Sequence, residues 1–150
     1  LTLINNHLES FKLTMEDRSH YSAFIKNLNS ETLDGLRSSI EQKLGPAFRI
    51  RARQARAVAE EIKKIDTDYV LVCGDFNDTP ASYTYHRVKK GLTDGFQDVG
   101  NGYQYTFRQL YRLWRIDYVF YSNEFSGLTY ISPELFFSDH NMVIWRGKLQ

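Results

Sequence analysis

At 150 residues the chain fits a single domain, and a composition of 42% hydrophobic and 25% charged residues excludes intrinsic disorder. A net charge of +1 excludes a global electrostatic footprint for nucleic acid, so any basic surface must be local. No apolar run approaches the ~18 residues that span a bilayer and nothing resembles a signal peptide; any membrane anchor would lie outside these residues, which leaves location open.

Leu1 to Asn5 is apolar with little alternation, the pattern of a strand covered on both faces, which places Asn6 and His7 at a strand end. A strand already under way at the first residue leads us to expect a piece of a longer protein. Phe24, Ile25, Leu28, Leu33, Leu36, Ile40 and Leu44 recur at three- and four-residue intervals, predicting helices over 19–27 and 30–44, the second stopped by Gly45-Pro46. A third helix is expected from Phe48 to Ile65, with Ile50, Ala57, Val58, Ile62 and Ile65 buried and Arg49, Arg53, Arg56, Glu60, Glu61 and Lys63 outward. Tyr69 to Cys73 is short, β-branched and aromatic, as a central strand requires. Cys73, the single cysteine, can form no intramolecular disulfide and reads as a small apolar residue. A short helix is expected over Ser82 to Lys90, and strands over Tyr103–Phe107, Ile116–Tyr121, Gly127–Ile131 and Met142–Lys148.

Three strings fall at the ends of these strands. Gly74-Asp75-Phe76-Asn77 leaves the central strand, where open α/β sheets place ligand groups. Asp75 supplies a carboxylate that can hold or deprotonate water, and Asn77 a neutral donor for developing charge, the pairing that phosphate-ester hydrolysis needs. The same residues would also make an ordinary Asx turn. In Ser138-Asp139-His140 the imidazole can donate to a phosphate oxygen and Asp139 can take a metal or a water. In Arg115-Ile116-Asp117-Tyr118-Val119-Phe120, Asp117 is either a salt-bridge partner or the carboxylate that fixes the tautomer of His140. Arg49, Arg51, Arg53 and Arg56 form one basic cluster. Arg108, Arg112 and Arg115 form another among Tyr105, Phe107, Tyr111 and Trp114. Basic groups interleaved with aromatics suit a phosphate-bearing ligand, with Arg51, Arg115 and Trp114 as candidate substrate contacts, whereas a charged helix face is commonly only solvated.

Together with Asn6-His7-Leu8-Glu9, these strings resemble the successive C-terminal motifs of the endonuclease/exonuclease/phosphatase superfamily, of which deoxyribonuclease I is a member. The resemblance implies a four-layer α/β sandwich of two mixed sheets with helices outside, of which residues 1–150 are the C-terminal portion of one domain whose first half is missing. It also implies a metal-dependent phosphoesterase, possibly a nuclease, that directs in-line attack of water on phosphorus. On that footing His7 and His140 contact phosphate, Asp75 activates water, Asn77 is the transition-state donor, Asp75 and Asp139 bind metal, and Asp117 orients His140. The implied cofactor is Mg2+, with Mn2+ as a substitute.

The family's principal magnesium ligand is a Glu of the first half, which these residues do not contain. A hard cation depends on a few well-placed oxygen ligands, so this chain alone is expected to bind it weakly and to show little activity. The expected partners are a phosphate-ester substrate, nucleic acid among them, and either the missing half or a second copy against the apolar strands near Leu3, Val70 and Val119. A lipid or inositol phosphatase, and a non-catalytic module that binds a phosphate ligand, are the competing readings.

Overall fold

The computed structural model describes residues 1–11, 30–109 and 112–150. Strands β1 (Thr2–His7), β2 (Val70–Asp75), β3 (Thr93–Asp94) and β4 (Asp117–Tyr121) make a four-stranded sheet in the order β1-β2-β4-β3. β1 runs parallel to β2 and the other pairs are antiparallel, so the sheet is mixed, as the resemblance implied. β5 (Phe125–Ile131) and β6 (Ile144–Leu149) form a separate antiparallel ribbon. The helices are α1 (Ser30–Lys63), α2 (Tyr83–Lys89, capped by the Ser82 hydroxyl) and α3 (Gly95–Val99).

The two faces of the sheet differ. Val70, Val72, Tyr118 and Phe120, with Ile4, meet Ala55 and Val58 of α1 and Tyr85 and Val88 of α2 in the core. Phe76 locks this side, its ring meeting Tyr118 and Phe120 edge-on at 5.4 and 5.5 Å. Residues of the opposite parity make the other face. Leu3, Leu71, Cys73 and Val119 line an open apolar groove of about 420 Å³, bounded by Met142, Val143 and Trp145. Leu3 is 63% exposed, so β1 is covered on one face and not on both. Val70 belongs to the covered side, because the two-residue alternation of a strand turns it toward the helices while Leu3 and Val119 turn away.

Gly45-Pro46 does not stop a helix: α1 runs through it from Ser30 to Lys63. A proline costs a helix one backbone bond and some steric strain, and here the buried stripe that follows holds the turn in place. That stripe is Ala47, Arg51, Ala55 and Ala59, a four-residue repeat, with Ile50 and Ala57 on the exposed side. Val58, Ile62 and Ile65 of the expected face do pack against the core and the expected charged residues are exposed, while Ile50 and Ala57 give way to the Ala47–Ala59 stripe. The helix expected over 19–27 lies outside the described residues. Tyr103–Phe107 forms no strand: the Thr106 and Phe107 amides both donate to one carbonyl, that of Trp114, leaving only isolated bridges at Phe107.

Gly74 sits opposite Asn6 in the parallel pair, at φ +129°, and a Cβ there would run into the Asn6 carbonyl and backbone. The close approach of β1 to β2 therefore requires glycine. Replacement Gly74→Ala is expected to lose on the order of 3 kcal/mol in denaturant unfolding, since two backbones must part. Gly102→Ala, with positive φ but nothing within 4 Å of the new atom, should lose only about 1 kcal/mol. Equal losses would show that backbone conformation, and not the contact with Asn6, makes position 74 a glycine.

Candidate active site

Strand register builds the site. His7 pairs with Asp75 across β1 and β2, and Asp75 pairs with Asp117 across β2 and β4, so three chemically active side chains form one row on the open face. His140 reaches the row from a loop tied to residues 106–108: the Arg108 amide donates to the Asp139 carbonyl at 2.8 Å and the Asn141 amide to the Thr106 carbonyl. Phe107 bridges His140, its ring 5.1 Å from the imidazole. Thr106 also fixes the start of β4, its hydroxyl accepting from the Ile116 and Asp117 amides at 2.9 and 3.0 Å.

The imidazole Nδ1 of His140 lies 2.9 Å from Asp117 Oδ2, and its Nε2 lies 3.9 Å from Asp75 Oδ2. The exposed His7 brings its own Nε2 to 3.6 Å from that same oxygen. Asp75 is also held from its own loop. Asn77 turns back at φ +50°, a conformation asparagine tolerates, and its backbone amide donates to Asp75 Oδ1 at 2.8 Å. Its side-chain nitrogen donates to Asp75 Oδ2 at 3.0 Å and to the Leu8 carbonyl at 2.9 Å. Both amide hydrogens are thereby engaged within the protein.

Burial, and next the Asp117 charge, push the Asp75 carboxyl above its ordinary value, and the hydrogen bond from the Asn77 amide opposes this. The hydrogen bond to Asp117 chiefly raises the His140 imidazole, against the effect of burial. Both shifts run the same way, raising the Asp75 carboxyl and the His140 imidazole together.

Asp75, Asp117 and His140 each offer a ligand atom, all within 4.8 Å of one another, and could hold a metal ion. Two carboxylates suit a hard cation; the imidazole nitrogen nearest Asp117 is committed to that carboxylate. Asp139 stands outside this group, exposed, with Gln109 Nε2 3.3 Å from its Oδ2. Of the three residues expected to touch substrate, two are sequestered. Arg51 is wholly buried on Asp78 at 3.2 Å, and Arg115 makes two hydrogen bonds to buried Asp94 at 2.9 and 3.1 Å. Their charges serve internal carboxylates, since an unpaired buried carboxylate is costly. Trp114 is half-buried, its ring 6.2 Å from that of Phe11, and Tyr111 lies outside the described residues. Sequence reasoning missed Asp78, Asp94, Gln54 and the Leu8 carbonyl. Asp78, directly after the Asn77 turn, was the one signal within reach.

A family model described as the Endonuclease/Exonuclease/phosphatase family matches residues 22–140. No curated protein sequence matches the chain. Among solved structures, an endonuclease/exonuclease/phosphatase from Bacteroides vulgatus is 25% identical with a TM-score of 0.59, over 68% of this chain and 45% of the other. A mannosyl-6-phosphatase from Bacteroides thetaiotaomicron is 22% identical with a TM-score of 0.58, over 67% and 46%. The 3′ phosphatase NExo from Neisseria, bound to a product DNA hairpin, is 19% identical with a TM-score of 0.54, over 71% and 55%. The chain thus spans about half the length of these structures, and the latter two likenesses show a shared fold.

The Asp117 contact makes a measurable prediction. In metal-free protein, the His140 imidazole should titrate above the ordinary histidine value by NMR, and Asp117→Asn should return it toward that value. Because the folded value is the raised one, the ion pair contributes stability fully below the unfolded histidine pKa, and that contribution is lost as pH rises through the folded value. An unchanged titration in Asp117→Asn would show that Asp117 does not hold the imidazole.

Proposed function

This chain belongs to the endonuclease/exonuclease/phosphatase family, and on that premise we propose that it carries half of a phosphoesterase centre that hydrolyses phosphate monoesters or diesters. The observation behind this reading is the convergence of two imidazole Nε2 atoms on one oxygen of Asp75, with Asp117 behind one of them. A carboxylate of raised pKa at that point accepts a proton from water as the water oxygen forms its bond to phosphorus. His140, oriented by the Asp117 carboxylate at Nδ1, donates from Nε2 to a phosphoryl oxygen, and His7 donates from the other side. Asn77 supports the reaction by fixing Asp75, since both of its amide hydrogens are already committed. The alcohol departs with a proton from solvent.

The cation is Mg2+ in this proposal, held by Asp75 and Asp117 together with oxygen ligands from beyond residues 1–150. When bound, it neutralises charge on the phosphoryl oxygens. Asp139 is the less suited ligand, facing Gln109 at the surface. The open groove beside the row is, in the same reading, the face on which the first half of the domain packs. Among the described residues Arg51 and Arg115 are withdrawn into buried ion pairs and Arg112 pairs with Glu134 at 3.2 Å, so none of the three marks a polyanion over a small ester.

The test is magnesium-dependent hydrolysis by the full-length protein against sugar phosphates, abasic and single-stranded DNA, inositol phosphates and phospholipid head-group esters. Asp75→Asn and His140→Ala should each lower kcat by about 10²- to 10⁴-fold on whichever panel is turned over. Silence on all panels, from a folded protein that still binds a phosphate ligand, would favour the non-catalytic module. A second expectation concerns pH. The rate should fall on an alkaline limb set by His140, whose imidazole the Asp117 hydrogen bond raises above the ordinary histidine value. Asp117→Asn should move the alkaline limb to lower pH, and an unmoved limb would assign it to another group.

A further inference from the structure

Arg51 has no path to a substrate, yet its surroundings tie it to both loops that leave the catalytic row. Its Nε meets Asp78 Oδ2 at 3.2 Å, and its Nη1 donates to the Glu9 carbonyl at 3.0 Å. One turn further along α1, Gln54 Oε1 accepts from the Glu9 amide at 2.9 Å. The helix therefore holds the main chain of Glu9 at its N–H and its C=O. Glu9 follows the strand end that carries His7, and Asp78 follows Asn77. Between these two anchors the loops are laced directly, the Leu8 amide donating to the Asp75 carbonyl and Asn77 to the Leu8 carbonyl, both at 2.9 Å.

The guanidinium plane is set by aromatic rings, 3.9 Å from the Phe11 centroid and 4.8 Å from that of Phe48. Its Nη2 is buried with no hydrogen-bond partner among the described residues. A buried ion pair replaced as a whole by apolar side chains of similar volume is often as stable or more so, whereas removing one partner alone is costly. Stability alone therefore does not account for an arginine here. The fork geometry does: one planar group can reach a carboxylate on one loop and a carbonyl on the other, which a point-charge lysine cannot do in the same plane.

We propose that Arg51, assisted by Gln54, is a positioning residue that sets the separation of His7 from the Asp75–Asn77 pair, an inference that rests on the phosphoesterase reading. The test uses the full-length protein with Arg51→Met, Arg51→Lys and Arg51→Ala. Arg51→Met strands the buried Asp78 carboxylate and should lower the melting temperature. Assayed well below that midpoint, kcat should fall on the order of 10- to 100-fold with KM nearly unchanged, the loss that about an ångström of misplacement produces. Arg51→Lys should not restore kcat, and added guanidinium ion should partly restore it in Arg51→Ala. Amide hydrogen exchange supplies a readout independent of turnover: Leu8 and Asn77 should lose more protection than Phe120 does in Arg51→Met. Wild-type kcat with unchanged protection at Leu8 and Asn77 would overturn the proposal. A wild-type protein silent on every ester would instead bring down the phosphoesterase reading, and the exchange data would still decide whether Arg51 ties the loops.

Discussion

The strand register across β1, β2 and β4 is the constraint on which the rest of the site depends. A strand alternates its side chains, so a shift of one residue in either pairing would turn Asp75 away from its neighbours and break the row with His7 and Asp117. Gly74 enforces the parallel pairing by letting the two backbones approach where no side chain fits. Phe76 fixes the antiparallel pairing with β4 from the covered face, because an aromatic ring seated among Tyr118 and Phe120 leaves Asp75 and Asn77 on either side of it at the strand exit. Glycine, acid, aromatic and amide in succession are thus four answers to one geometric demand.

Two buried ion pairs then fix what hangs from the sheet. Arg51 with Asp78 joins α1 to the loop after β2, and Arg115 with Asp94 joins the start of β4 to β3 and α3. The Tyr85 hydroxyl donates to Asp94 at 2.7 Å, and Phe96 and Tyr118 flank the Arg115 guanidinium at 4.7 Å each. Removing one member of such a pair typically costs about 3–5 kcal/mol, since a charge is left buried and unmatched. These arginines lie among basic and aromatic residues in sequence, and only burial separates the internal ties from the exposed ones.

The strand ends and the residues that meet there were legible in the sequence because both depend on short-range pattern. The β2 run, the Gly74 to Asn77 turn and the strand from Asp117 each carry a local signature of strand and exit. Their assembly with His7 and His140 was legible only through family resemblance, as no period in the sequence encodes which strand neighbours which. The length of α1 escaped because a proline's local penalty was taken to decide, whereas the buried stripe from Ala47 to Ala59 outweighs it. The β3–α3 segment escaped because its organising residue, Asp94, is defined by a partner far along the chain. Arg51 was misread for the same reason, its partner Asp78 lying on another element.

The parallel pairing of β1 with β2 has a consequence for how the molecule comes together. Parallel strands cannot be joined by a tight turn, and here the whole of α1 lies between them, while β4 enters only after two further helices. Nearly every contact that places His7, Asp75, Asp117 and His140 is therefore remote along the chain and carries the full loop-closure entropy before it returns any stabilisation. The β5–β6 ribbon, by contrast, pairs segments close along the chain. The meeting of the four side chains is thus a property of the assembled topology and of no local segment.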